Sequence, residues 1–281
     1  MMSVTLWGTR GSVAAPGPET ARYGGNTSCV AVEAGDGSLL VLDAGTGIRR
    51  LGLAIGASAR RVDLLLTHLH LDHIQGLGFF APLFNPKVEA HIWGPASTTL
   101  GLGARLTKYL SPPLFPVHLR DLPCRLELHE VPCEQVEIGP FTVTSCLVCH
   151  PGPTVGYRIE MDGAVVAYLP DHEPALGTTE FPAENDWTSG FEIARGADLL
   201  IHDAQYTVEE YEARVGWGHS SLQQAIAFAG AAGVAELVPF HHDPTHSDEQ
   251  IDRMIASAIE ECRPSFRVTP GEESRTFVLG R

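Results

Sequence analysis

Short apolar runs, bounded by glycine, proline or charged residues, recur along the chain and set its rhythm. Those with strand length and β-branched or aromatic content are Val4–Trp7, Cys29–Glu33, Leu39–Leu42, Val62–Leu66, Val88–Trp93, Phe141–Cys146, Val155–Glu160, Ala164–Leu169, Leu199–His202 and Glu236–Phe240. Between them, apolar residues spaced three and four apart predict helices over Thr46–Ile55, Asp72–Phe80, Ser97–Leu110, Ser220–Ala232 and Ser247–Glu261. Ser220 and Ser247 stand at N-cap positions. The proline-bearing stretch Ser111–Cys133 reads as irregular, a candidate rim loop, with Phe115 as a candidate selectivity residue. No repeat and no linker interrupts the alternation, so the expectation is one α/β domain over residues 1–281.

Composition narrows the class. A chain of 281 residues can bury a substantial core. No stretch approaches the roughly 18 uninterrupted apolar residues of a membrane span. Met1–Gly8 lacks a basic region followed by an apolar core, so a cytoplasmic location is expected, without membrane contact. The cysteines at 29, 124, 133, 146, 149 and 262 form no regular framework and are expected to stay reduced. Cys146-Leu147-Val148-Cys149-His150 spells a haem-attachment pattern, but its first half reads as a strand and no export signal precedes it.

Charge excludes more. Nineteen basic against 34 acidic residues give a net charge of −15. Binding of a long nucleic acid draws on phosphate neutralisation by basic patches, and here only Arg49-Arg50 and Arg60-Arg61 stand as pairs. A long nucleic acid is therefore a poor partner. A small anionic substrate suffers less, and self-association as a homodimer stays open.

The chemistry concentrates in Thr67-His68-Leu69-His70-Leu71-Asp72-His73, directly after an apolar strand. In extended backbone His68 and His70 point to the same side. If a helix starts near Asp72, then Asp72 and His73 reach a second point a few ångströms away. One segment can thus serve two metal ions, spaced about 3.5–4 Å in two-metal hydrolytic sites. Three later segments end apolar strands with further ligands: His150, Asp171 in Tyr168-Leu169-Pro170-Asp171-His172, and His241 or His242 in Val238-Pro239-Phe240-His241-His242. His241 is preferred because it comes first after the strand.

The His-x-His-x-Asp-His run resembles the signature of the metallo-β-lactamase superfamily, specifically the dinuclear phosphodiesterase branch that includes ribonuclease Z. Leu40–Gly47 resembles that family's Asp-Gly turn, and Trp7–Ser12 with Arg22–Cys29 resembles the start of its bacterial members. The resemblance implies a four-layer αββα sandwich with metals at one edge. It implies His68, His70 and His150 on a first metal, Asp72, His73 and His241 on a second, and Asp171 bridging. Two divalent ions are expected, Zn2+ first and Mn2+ as the alternative. Asp43 reads either as a turn residue or as a carboxylate orienting a metal-bound imidazole.

Ile201-His202-Asp203-Ala204 resembles the His-Glu-Ala-Thr motif of ribonuclease Z, with Asp203 in place of Glu, and Gly218-His219-Ser220-Ser221 resembles its His-Ser-Thr motif. His219 is the expected general acid and Asp203 its orienting carboxylate; the plain alternative for His219 is a helix-end residue. The sequence points to hydrolysis of a small phosphodiester, such as a cyclic nucleotide, by a metal-activated water shared between the ions. The runner-up is tRNA 3′-processing, against which stand the charge and the lack of any insertion resembling the tRNA-gripping arm. Lactamase or thioesterase chemistry, or a sensor without turnover, fit the ligand set and the proton donor less well.

Overall fold

The computed structural model describes residues 1–56, 59–176 and 188–280. The first half runs β1 (Met2–Gly8), β2 (Cys29–Ala34), β3 (Leu39–Leu42), α1 (Ile48–Ile55), β4 (Arg61–Leu65), α2 (Leu71–Ile74), β5 (Glu89–Pro95), α3 (Leu102–Thr107) and β6 (Arg125–Val131). Then follow β7 (Gln135–Ile138), β8 (Phe141–Leu147), β9 (Val155–Met161), β10 (Ala164–Leu169), α4 (Phe191–Ala194), β11 (Leu199–Asp203) and α5 (Val208–Glu212). The chain closes with α6 (Leu222–Ala232), β12 (Glu236–Phe240), α7 (Asp248–Cys262), β13 (Arg267–Val268) and β14 (Thr276–Leu279).

Two sheets result, ordered β14-β1-β2-β3-β4-β5-β6 and β13-β12-β11-β10-β9-β8-β7. Each is antiparallel on one side and parallel on the other, with the parallel strands running β3 to β6 and β10 to β13. Inner faces interdigitate: Val4, Leu6, Val32, Leu42 and Leu65 pack against Val143, Tyr157, Ile159, Ile201 and Phe240. Outside the first sheet, Ile48, Leu51, Phe80 and Leu106 cover Val41, Leu64 and Ile92. Outside the second, Phe191, Leu222, Phe228 and Ile255 cover Ala167, Leu200 and Leu237. Helix, sheet, sheet, helix: this is the αββα sandwich. Each large apolar side chain so buried contributes on the order of 1.5–3 kcal/mol.

Several sequence expectations change. The helix expected over Asp72–Phe80 is the single turn α2 followed by a 3-10 turn, Leu77–Phe79. Its glycine lies against another turn: a Cβ on Gly76 would sit 2.1 Å from the Gly45 carbonyl oxygen. The helix over Ser97–Leu110 shortens to α3, whose first amide, on Leu102, donates to Glu130 Oε1. Ser111–Cys133 is not all loop, since β6 occupies its second half. Strands β7, β13 and β14 and helices α4 and α5 were not expected, although Thr207 and Glu210 form a capping box on α5. Helix α6 is capped by Ser221 with Gln224, not by Ser220; α7 is capped by Ser247, with Gln250. No helix among the described residues is long and apolar enough to cross a membrane.

Candidate metal centre

Parallel strands deliver their C-terminal ends to one edge of the sandwich, where loops are free to carry polar side chains. His68, His70, Asp72 and His73 follow β4, His150 follows β8, Asp171 follows β10 and His241 follows β12. His241 and Asp43 both take positive φ, 59° in each case, so the chain turns sharply as it leaves β12 and β3.

Two ligand sets form. His68, His70 and His150 make one, and Asp72, His73, Asp171 and His241 the other, with the potential ligand atoms of each set lying within 4.8 Å of one another. His70 Nδ1 lies 3.1 Å from His150 Nε2. His73 Nε2 lies 3.3 Å from His241 Nε2. Asp171 joins the sets. Its Oδ2 is 3.7 Å from both His68 Nε2 and His150 Nε2, while Oδ1 is 2.9 Å from His73 Nε2 and 3.4 Å from His241 Nε2.

The second ring nitrogens are already engaged. His73 Nδ1 meets Asp43 Oδ2 at 2.8 Å, His150 Nδ1 meets the Gly218 carbonyl at 2.8 Å and His241 Nδ1 meets Gln205 Oε1 at 3.0 Å. Each partner is an acceptor, so each Nδ1 carries a proton and Nε2 is the atom turned inward, a ligand once deprotonated. Asp43 is itself fixed by the Thr67 amide and by the Thr67 and Tyr168 hydroxyls. Asp72 Oδ2 accepts the Ser12 amide at 2.8 Å.

Lone pairs facing carboxylate oxygens in a buried cluster call for a cation. His68 Nε2 and Asp171 Oδ1 are fully buried and accept or donate no hydrogen bond, a costly state that a divalent ion would relieve. The residues therefore fit the metal that the donor set suggests. Titration agrees. Burial, reinforced by His73, holds His68 well below its ordinary pKa, and burial brings His150 to about 4 despite Asp171. Burial opposes ionisation of Asp171, but His241 and His73 overcome it and hold the carboxyl well below the usual range.

His242 turns away. Its Nε2 bonds the Gly271 carbonyl at 2.9 Å, and its ring meets Tyr23 edge-on. His219 stacks on His241 with centroids 5.0 Å apart, and its Nδ1 lies 2.6 Å from Asp203 Oδ2. Burial disfavours the imidazolium, yet Asp203 more than offsets it and raises the His219 pKa to about 9. Asp203 Oδ1 accepts the amides of Ser220 and Gln205. Cys146 lies in β8 with its Sγ 3.6 Å from Cys133 Sγ.

Sequence reading did not single out Ser12, Gln205, Tyr168 or Gly218. Each acts on a residue distant in the chain, so no local pattern announces it.

The hollow beside His68 and His70, about 370 Å³, is lined by Leu69, Leu71, Tyr109, Leu114 and Pro151, with Arg105 and Lys108. A larger one, about 510 Å³, has Asp36, Arg61 and Phe141 on its walls and none of the ligand residues.

A family model for the β-lactamase superfamily domain matches residues 39–242. A protein of Mycobacterium avium (strain 104) named Ribonuclease Z is 30% identical over 280 residues, covering 93% of each chain. Human tRNase Z, short form, superposes with a TM-score of 0.69 at 21% identity, over 99% of this chain and 100% of that one. A diphosphatase of the PhnP family superposes with a TM-score of 0.71 at 19% identity, over 100% and 98%.

Proposed function

Because this chain belongs to the metallo-β-lactamase superfamily, in its ribonuclease Z-like branch, we propose that this metal-dependent hydrolase cleaves a small phosphodiester, a cyclic nucleotide being the leading candidate. The observation that carries the reading is the hollow of about 370 Å³ opening at His68 and His70. That volume suits one nucleotide-sized ligand. Its apolar walls would face a base or sugar, and Lys108 would face the phosphate.

In this reading His68, His70 and His150 would hold one ion and Asp72, His73 and His241 the other, with Asp171 between the two sets. Bound divalent ions would supply Lewis acidity toward the phosphate and a water made nucleophilic near neutral pH. Asp43, Gln205 and the Gly218 carbonyl accept from the Nδ1 atoms and keep the rings aimed. His219 carries a proton for the leaving oxygen on Nε2, and Asp203 keeps Nδ1 occupied, so the ring cannot turn away. A sugar alkoxide is strongly basic and gains most from that proton.

The name of the full-length mycobacterial relative favours a second reading, a tRNA 3′-processing endonuclease. Net charge of −15 weighs against a polyanionic substrate. One assay separates the two: turnover of cyclic nucleotides, bis-p-nitrophenyl phosphate and precursor tRNA by the same metal-loaded preparation. Position-specific cleavage of precursor tRNA with no turnover of cyclic nucleotides overturns the small-substrate reading.

A further inference from the structure

Strands β5 and β6 run parallel, with His91 paired to Glu127 and Trp93 to His129. Side chains repeat direction every two residues, so His91, Glu127 and His129 share one face of the sheet. His91 Nδ1 lies 2.9 Å from His129 Nε2 and 3.8 Å from Glu127 Oε2. The ligand atoms of the three residues all lie within 4.8 Å of one another. We propose that His91, Glu127 and His129 form a separate site for one divalent cation of the zinc type.

The geometry matches the central ligand sets. Two nitrogens bound to one zinc ion at 2.0–2.1 Å lie about 3.3 Å apart. His91 Nδ1 and His129 Nε2 share a hydrogen bond at 2.9 Å, which a bound ion would replace by opening the pair by a few tenths of an ångström; the central His70–His150 pair, at 3.1 Å, stands in the same relation. The far nitrogen of His91, Nε2, meets Glu89 Oε1 at 2.9 Å. That places the ring proton on Nε2 and leaves Nδ1 as a lone pair, the carboxylate–imidazole–metal order found around bound zinc. The His129 ring stacks on Trp93 with centroids 3.9 Å apart and planes 17° from parallel, and Trp93 is pinned by its indole N–H to Asp63 Oδ1. His91 is buried and Glu127 is 39% exposed, so the ion is loaded from solvent and keeps an open position for water. Arg125 pairs with Glu127 and Glu89 along this edge; an ion would take over part of that neutralisation. None of these residues belongs to the central cluster. Bound metal would clamp β6, which ends its sheet, onto β5.

Zinc alone is the probe, read by elemental analysis after exhaustive removal of loose metal and by the thermal midpoint. His129→Gln should bind one equivalent fewer than the wild type, hydrolyse phosphodiesters at the wild-type rate and lose a zinc-dependent rise in midpoint on the order of 5 °C. Glu127→Gln should weaken the same equivalent. The reciprocal variant, His70→Ala with Asp72→Ala and Asp171→Asn, which disables both central ligand sets, should keep one equivalent that a further His129→Gln removes. Equal zinc content in wild type and His129→Gln overturns the proposal. So does loss of all zinc in the folded His70→Ala, Asp72→Ala, Asp171→Asn variant.

Discussion

His219 Nδ1 lies 2.6 Å from Asp203 Oδ2, and no described residue hydrogen-bonds the other ring nitrogen. The carboxylate is held in turn by two backbone amides, of Ser220 and Gln205. A ring so anchored offers one directed proton at the edge of the metal cluster. His219→Ala should lose about 10²–10⁴-fold on a cyclic nucleotide and far less on bis-p-nitrophenyl phosphate, whose phenolate departs unaided. Metal content should stay the same. Asp203→Asn should follow the same pattern more mildly. Equal losses on both substrates would assign His219 to phosphate binding instead.

Asp72 Oδ2 lies 3.4 Å from His73 Nε2 and 3.2 Å from His241 Nε2. Asp72→Ala should therefore empty or weaken one of the two central metal positions and abolish turnover while the fold survives. Elemental analysis and circular dichroism on the same sample check this. Wild-type metal content with full activity in the variant would remove Asp72 from the ligand set.

Asp43 collects donors from His73, Thr67 and Tyr168 on its two oxygens. Asparagine tolerates the positive φ at this position, but it turns one acceptor into a donor facing donors. Asp43→Asn should weaken metal binding by about 10–100-fold. Competition with a chelator measures it; unchanged metal affinity would leave Asp43 as a turn residue only.

The proposed substrate class is tested at the hollow of about 370 Å³. Cyclic nucleotides should be turned over far better than precursor tRNA, and Leu114→Asp, on the wall of the hollow, should raise KM for nucleotides more than it lowers kcat. An unchanged KM in this variant would move the substrate elsewhere.

His202 is one of several buried histidines expected to make stability fall in acid. Burial lowers the His202 pKa to about 4, while in the unfolded chain it is roughly 6.5. The unfolded state therefore binds more protons between these values, and stability falls as pH drops from about 6.5 to 4. By pH 5 this amounts to on the order of 2 kcal/mol. Urea unfolding of metal-free protein should show a shallower pH slope in His202→Gln than in wild type. Parallel slopes would place the lost protons on other groups.

Sequence alone determined the ligand-bearing segments. His68, His70, Asp72 and His73 sit in one short run, and His150, Asp171 and His241 or His242 each follow an apolar strand, so position along the chain marked the candidate segments while the family resemblance implied which set each residue joins. Strands whose inner and outer faces are both buried were legible for the same reason. Edge strands β6 and β7 were not: their exposed faces carry charge, and the pattern there resembles a loop. Tertiary structure decided what depends on orientation across the sheets. It turned one oxygen of Asp171 toward each histidine set, and aimed His241 inward while His242 bonded the Gly271 carbonyl. It brought Asp43 to His73 and Gln205 to His241, and gave the helix cap to Ser221 so that Ser220 could hold Asp203. A sequence pattern carries which residues are near a strand end; a hydrogen bond between distant residues is fixed only when the two sheets pack.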